Sequence, residues 1–314
     1  MPTAEMTVRE LIHWGAQLFE AGGLVFRHGT DNALDESAGL VLYVLGIGYD
    51  QPDSALDTVV APADKVRVTE LLQQRVTTRK PAAYLINTAW FAGLPFYVDE
   101  RVLVPRSPIA ELVEAQFAPW IAPDSVRQVL DLCTGSGCIG IACAYAFPDA
   151  QVMASDLSAD ALDVARENVQ SHGLEARVKL CESDLFSAVD ERRYDIIVSN
   201  PPYVAREECA ALDAEFRHEP EIGLVAGADG LDMVVDILRE ATNYLDEDGI
   251  LVVEVGYSSE ALIDLFPAVP FTWLEFELGG EGVFLLDYSQ LAGHHKEFAA
   301  AAAARSSARE NESK

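Results

Sequence analysis

The sequence predicts a doubly wound α/β domain whose mostly parallel sheet is closed by an antiparallel hairpin, preceded by a small helical domain. Three observations lead there. From residue 128 onward, strand-like runs alternate with helical stretches in the order QVLDL, QVMASDL, RVKLCESDLF, YDIIVSN, ILVVEVG, FTWLEFELGG and GVFLLDYS, the alternation that crossover helices impose on a parallel sheet. The last two runs meet at Gly279, Gly280 and Gly282, too short a link for a crossover, so they pair as a hairpin. The N-terminal third instead carries helical periodicity.

Each element follows from local chemistry. TVRELIHWGAQLFEAGG opens on a capping box from Thr7 to Glu10, sets Val8, Leu11, Ile12, Leu18 and Phe19 on one face, and stops at Gly22 and Gly23. Asp31 is placed to cap a second helix through ALDESAGLVLYVLG, and residues 63–79 read as a third, ended by Pro81. These form a helical domain over residues 1–85, expected to recognise substrate. AYLINTAWFAGLPFYVDERVLVPR is rich in aromatic and β-branched residues around Gly93 and Pro95, which predicts a β-hairpin linker over 86–105. Pro105 and Pro108 mark the entry to a catalytic domain over 106–291. The tail, 292–314, is poor in apolar variety and is expected to be a frayed helix or disordered.

Composition narrows the functional classes. The 314 residues are half hydrophobic, with no apolar run long enough to span a bilayer, and the opening MPTAEMTVRE lacks the basic and apolar regions of a signal peptide. A soluble, cytoplasmic protein is expected. The five cysteines are odd in number and form no CxxC pair, so reduced thiols and no metal site are expected. A net charge of −29, from 51 acidic and 22 basic residues, repels a phosphate backbone and favours a basic partner, or serves solubility in a salty cytoplasm.

Two motifs carry chemistry. In DLCTGSGCIG, Gly135, Gly137 and Gly140 form a GxGxxG where a strand meets a helix, and Asp156 follows nineteen residues beyond Gly137, the place of a ribose acceptor. This spacing identifies a nucleoside-type ligand without naming it. Three features favour S-adenosylmethionine over a dinucleotide. Asp131 places a carboxylate where an ammonium group would be held. Asp184, ending the third strand, is placed to accept from an adenine amine, with Leu185 packing on the ring. NPPY, residues 200–203, ends the fourth strand, and ligands of open α/β sheets lie beyond such ends.

NPPY itself specifies the acceptor. A residue before proline is held extended, so Asn200 and Pro201 both present carbonyls away from the local chain, and neither proline offers an N–H to compete for them. The Asn200 side-chain oxygen and the Pro201 carbonyl can accept both hydrogens of a planar NH₂ group, on which Tyr203 stacks. The motif reads as a grip on either a glutamine or asparagine amide or a nucleobase amine. The nucleobase reading needs a basic track that this composition does not supply. An adaptor that binds the cofactor without catalysis would have no use for the grip.

DLCTGSGCIG, SDLF and NPPY in this order resemble the protein-(glutamine-N5) methyltransferases, some of which modify the GGQ loop of peptide release factors. PAAYLINTAWFAGLPFYVDERVLVPRSPI, FRHEPEIGLVAGADGLD and VPFTWLEFELGGEGVFLL resemble the branch that methylates a glutamine of the third large-subunit ribosomal protein, L-three; the similarity covers residues 5–291. The resemblance implies a class I S-adenosylmethionine-dependent methyltransferase fold with a seven-stranded sheet, and S-adenosylhomocysteine as product. It implies cofactor binding by Cys133, Thr134, Gly135, Ser136, Gly137, Asp156 with Leu157, Leu185 and Asn200, and amide binding by Asn200, Pro201, Pro202 and Tyr203. Cys133 stands where many relatives have glycine, and PRSPI departs from the PRPDTE of the release-factor branch, which favours the ribosomal substrate and leaves Arg106 as a residue that closes the site or is simply salt-bridged.

Overall fold

The computed structural model describes residues 5–48 and 51–312; the first four residues, residues 49–50 and the last two of the tail lie outside them. Helix α1 (Val8–Ala21) starts with the expected reciprocal cap: Thr7 Oγ1 accepts from the Glu10 N–H and the Glu10 carboxylate accepts from the Thr7 N–H at 2.8 Å. Helix α2 (Ala33–Leu45) is capped by Asn32 rather than Asp31: Asn32 Oδ1 accepts from the Asp35 N–H at 2.9 Å, while Asp31 only takes a bond from the Asn32 amide. A cap must stand immediately before the first helical residue, and that residue is Ala33. Helix α3 (Pro62–Thr78) has its proline where no N–H is needed. The three helices share a core of Leu11, Phe19, Leu40, Val68 and Leu72.

A short helix, α4 (Ala82–Ile86), precedes the hairpin, which is confined to β1 (Ala89–Phe91) and β2 (Leu94–Phe96), joined through Ala92 and Gly93, both at positive φ. Such a two-residue turn matches the twist of its strands.

The rest of the chain holds a seven-stranded sheet of β3 (Gln128–Leu132), β4 (Gln151–Asp156), β5 (Val178–Glu182), β6 (Tyr194–Ser199), β7 (Leu245–Glu254), β8 (Thr272–Trp273) and β9 (Val283–Asp287), in the order β5-β4-β3-β6-β7-β9-β8. The first five are parallel and β9 runs antiparallel to both its neighbours, so the predicted closing hairpin forms, though only two residues of FTWLEFELGG are strand. The order reverses between β3 and β6, which opens a crevice beyond their carboxyl ends.

Side chains alternate across the sheet. Val129 faces a cluster with Ile109 and Val113 of α5 (Ile109–Glu114), Ile141 of α6 (Cys138–Ala146) and Val169 of α7 (Ala159–Ser171). Leu130 and Leu132 face the other, with Val234 and Leu238 of α9 (Asp232–Glu240) and Leu262 of α10 (Ser259–Leu265). One turn of helix, α8 (Arg206–Cys209), follows the NPPY segment. The tail, expected as a frayed helix or disordered, is helical: α11 (Tyr288–Glu312) buries Leu291, Phe298 and Ala302 in this second cluster and sets Arg305 on Asp229 and Asp232. The alanine run has the highest helix propensity, and three apolar residues at spacings of seven and four suffice to seat it.

The N-terminal helices meet the rest of the chain at two places: Ala83 and Tyr84 pack with Ala161 and Val164 of α7, and residues 214–219 make the charged contacts. Glu215 is buried, accepts from the Val25 N–H at 3.2 Å and lies 3.3 Å from Arg79 and 3.5 Å from Arg75, itself fully buried on Glu36. Glu219 accepts from both terminal nitrogens of Arg106 and from the Val104 N–H at 3.0 Å, with His28 Nε2 at 3.6 Å. Burial alone would raise the Glu219 carboxyl; Arg106 and His28 outweigh it and hold it down at about 2.

Candidate active site

At the switch point the strand ends surround a cavity of about 460 Å³. Its wall includes Cys133, Thr134, Gly135 and Ser136 from the loop after β3, Asp156 and Leu157 after β4, Leu185 after β5, and Asn200 through Tyr203 after β6. Eleven of the residues expected at the site therefore meet in one place. Asp131, Gly137 and Asp184 do not line it. Gly137 caps α6 with φ +82°; Asp184 is exposed between the lining residues Ser183 and Leu185.

Asp131 is fully buried at the end of β3. Its Oδ2 accepts from Thr134 Oγ1 at 2.5 Å and the Gly140 N–H at 2.9 Å, and a Cβ on Gly140 would sit 3.0 Å from that oxygen, which is why the third glycine is needed. Oδ1 has no partner among the described residues. Burial pushes this carboxyl up to about 7, against the two hydrogen bonds. The folded-state value thus lies above the ordinary 3.8, so the fold favours the protonated form, and stability falls as pH rises from about 4 to about 7. Asp131→Asn is expected to remove that slope, on the order of 3 kcal/mol across the window, as read by thermal unfolding at about pH 5 and about pH 8; an unchanged slope would place the effect elsewhere.

Asp156 is pinned by backbone: Oδ2 accepts from the Gly135 N–H at 2.8 Å and Oδ1 from the Ser158 N–H at 2.9 Å. The carboxylate joins the glycine loop to the start of α7, and burial raises its pKa. Two residues of the wall take the left-handed backbone without being glycine, Cys133 at φ +58° and Leu185 at φ +46°. Such conformations cost on the order of 1–3 kcal/mol each and persist only where the surroundings impose them. Cys133 therefore occupies a position whose geometry suits glycine, and its thiol is pushed up by burial and by Asp156.

The NPPY segment is fixed by contacts the sequence did not announce. Tyr203 donates its hydroxyl to Glu254 Oε1 at 2.9 Å, and its carbonyl accepts from Ser258 Oγ at 2.9 Å. Glu254 in turn accepts from Ser107 Oγ. Sequence reasoning missed Glu254; the available signal was an acid at the end of an otherwise apolar run, ILVVEVG. Arg106 lines the cavity and is paired with Glu219, its guanidinium 5.4 Å from the Phe216 ring centre. Ile222 and Tyr257, both exposed, and Arg27 of the helical domain complete the mouth. The cavity wall holds the Asn200–Pro201–Pro202 stretch, in which neither proline has an N–H, with an anchored phenol ring and a carboxylate beside a glycine loop. That set suits a planar NH₂ group next to a nucleoside.

Residues 116–218 match the family described as Methyltransferase small domain. The chain is 44% identical over 293 residues, 93% of each chain, to the ribosomal protein uL3 glutamine methyltransferase of Francisella tularensis subsp. tularensis. It is 49% identical over 299 residues to the protein of that name from Xylella fastidiosa, covering 95% of this chain and 96% of that one. The Xanthomonas campestris pv. campestris protein of that name is 48% identical over 300 residues, 95% and 97% of the two chains.

Proposed function

Because the chain belongs to the ribosomal protein uL3 glutamine methyltransferases, we propose that it transfers a methyl group from S-adenosylmethionine to the side-chain amide nitrogen of one glutamine in uL3, the third large-subunit ribosomal protein. The observation that carries the chemistry is NPPY at the cavity wall, with its ring anchored and its carbonyls free of neighbouring proline donors.

The residues present fit the cofactor. Asp131 Oδ1 is an orphaned buried acceptor beside the glycine loop, Asp156 offers remaining lone pairs to ribose hydroxyls, and Leu157 and Leu185 give an apolar wall to a base, with Asp184 beside them as acceptor for its exocyclic amine. S-adenosylmethionine supplies an electrophilic methyl group on a sulfonium leaving group. Asn200 Oδ1 and the Pro201 carbonyl then accept both amide hydrogens, ease the nitrogen toward tetrahedral geometry and aim its lone pair, while Tyr203 packs on the flat amide. Positioning of this kind lowers barriers by roughly 7–11 kcal/mol. No general base is required, since the proton is lost readily once the nitrogen carries a methyl group.

Offering purified uL3, a release factor and duplex DNA side by side with radiolabelled cofactor tests the reading. Label on a glutamine of uL3, located by mass spectrometry, is expected. Label on the release factor would keep the mechanism and overturn the substrate; label on DNA would overturn the amide reading. No helix among the described residues is long and apolar enough to cross a membrane. The cytoplasm is the setting we propose, because that is where a ribosomal protein substrate is made. The net charge of −29 is proposed to steer a basic substrate, so kcat/KM should fall about tenfold from low to high salt with kcat little changed. A flat salt profile would remove the steering claim.

A further inference from the structure

We propose that Glu254 is a positioning residue of the amide site: its buried carboxylate fixes the hydroxyl end, and so the tilt, of the Tyr203 ring and ties it, through Ser107, to the segment that enters the catalytic domain. This rests on the reading above, in which Tyr203 forms the flat wall beside the substrate amide.

Glu254 is the last residue of β7 and is 5% exposed. A carboxylate that deep persists only where its oxygens are satisfied. Here two hydroxyls do so, Tyr203 to Oε1 at 2.9 Å and Ser107 to Oε2 at 2.5 Å, from residues 51 and 147 positions away in sequence. Arg106, next to Ser107, adds positive charge nearby but spends its hydrogen bonds on Glu219 and the Val104 carbonyl. Burial raises the Glu254 carboxyl above the usual range, with the Ser107 and Tyr203 hydrogen bonds opposing. As a packing element alone, such an acid is a poor choice: a buried ionisable group is commonly replaced by apolar side chains of similar volume without loss of stability.

The rest of the seat holds one edge of the ring and its backbone, and leaves the hydroxyl end to be placed by its hydrogen bond. Gly256 has φ +47°, and a Cβ there would lie 2.7 Å from Tyr203 Cε2, so the chain passes flat against one ring edge. Behind the backbone, a Cβ on Gly230 would lie 2.1 Å from the Tyr203 carbonyl oxygen, which Ser258 also holds. Edge and carbonyl are thus set by close approach, whereas the tilt of the ring is set by its hydroxyl, and the hydroxyl is bound by Glu254. The serine arm makes that tilt depend on the placement of residues 105–107, the same stretch that contacts Glu219 through Arg106 and so meets the helical domain.

The test compares Glu254→Ala, Glu254→Gln, Tyr203→Phe and the double variant Glu254→Ala/Tyr203→Phe in methyl transfer to whichever protein the wild type labels, with cofactor affinity measured by calorimetry. Glu254→Ala and Tyr203→Phe are each expected to lower kcat about ten- to a hundredfold, as for loss of one preorganised active-site hydrogen bond, with cofactor Kd within about threefold. The double variant should be no slower than the worse single one, because both remove the same contact. Glu254→Gln keeps an acceptor for the phenol and should stay within about fivefold of wild type. Additive losses, wild-type kcat in Tyr203→Phe, or a parallel loss of cofactor binding would overturn the proposal. Independently of any substrate, ¹⁹F spectra of 3-fluorotyrosine-labelled protein should give one sharp Tyr203 resonance, assigned by its absence in Tyr203→Phe, that splits or broadens in Glu254→Ala; an unchanged line overturns it. If the wild type transfers no methyl group, the functional reading fails while the ring measurement still decides this one. Should Glu254→Ala not fold, the resonance is read in Ser107→Ala, where the same broadening is expected.

Discussion

Asn200→Ala is expected to lower kcat for methyl transfer about a thousandfold, at the upper end of what one preorganised hydrogen-bonding group contributes, while cofactor Kd stays within about tenfold. The reason lies in the nucleophile. An amide nitrogen shares its lone pair with the carbonyl, and two acceptors gripping its two hydrogens are what turn that pair toward the methyl carbon. Alanine removes one acceptor and leaves the Pro201 carbonyl to hold the group by a single hydrogen, about which it swings. Cofactor binding survives because the other lining residues, from Cys133 to Leu185, are untouched. Single-turnover transfer and calorimetry on the same preparation separate the two quantities. Turnover near that of wild type would refute the grip.

Glu219→Ala is expected to destabilise the protein by about 3–5 kcal/mol, the usual result of removing one partner of a buried ion pair. It strands the Arg106 guanidinium, the Val104 N–H and the His28 ring in a region where each now faces this carboxylate. The pH dependence gives a signature. The folded Glu219 carboxyl lies at about 2, below its ordinary 4.5, so its contribution is present in full above about 4.5 and is lost as pH falls through that window toward about 2. Calorimetric unfolding should show a wide gap between wild type and variant at about pH 7 that narrows at about pH 3. A gap independent of pH would mean that the carboxylate charge is not what binds the domains. Activity should fall as well, because Arg106 and Ser107 are adjacent and Ser107 reaches the amide site through Glu254.

The parts of the site that were legible in the sequence are those written in one stretch of chain. GxGxxG, the acid after β4 and NPPY each sit at the end of an apolar run, and the parallel order of those runs brings their ends together without further information. Helix α1 was legible for the same reason, since its cap and its stop are neighbours of its apolar face. What was hidden depends on pairs far apart in sequence. Ser107 meets Glu254 across 147 residues and Arg106 meets Glu219 across 113, and no local pattern marks either acid as a partner. The cap of α2 fell on Asn32 because two adjacent residues had the right chemistry and only the first helical φ/ψ separates them. The stretch from Ala83 looked strand-like from its start because Ala82–Ile86 carries apolar residues that serve a strand or a buried helical turn equally well.

The place of β9 and α11 in the chain bears on when the protein can fold as it is made. Strand β7 lies between β6 and β9, and Phe298 and Ala302 of α11 fill the same cluster as Leu251 and Val253 of β7. The sheet's middle therefore keeps one edge open until β9 has left the ribosome, and one face incompletely covered until the chain beyond residue 302 has followed. The helical domain, complete by residue 86, can form early in synthesis, but the catalytic domain must close afterwards, in one late step. Until then β7 presents an unpaired edge and an apolar face only partly covered by α9 and α10, the features that make nascent chains dependent on chaperones.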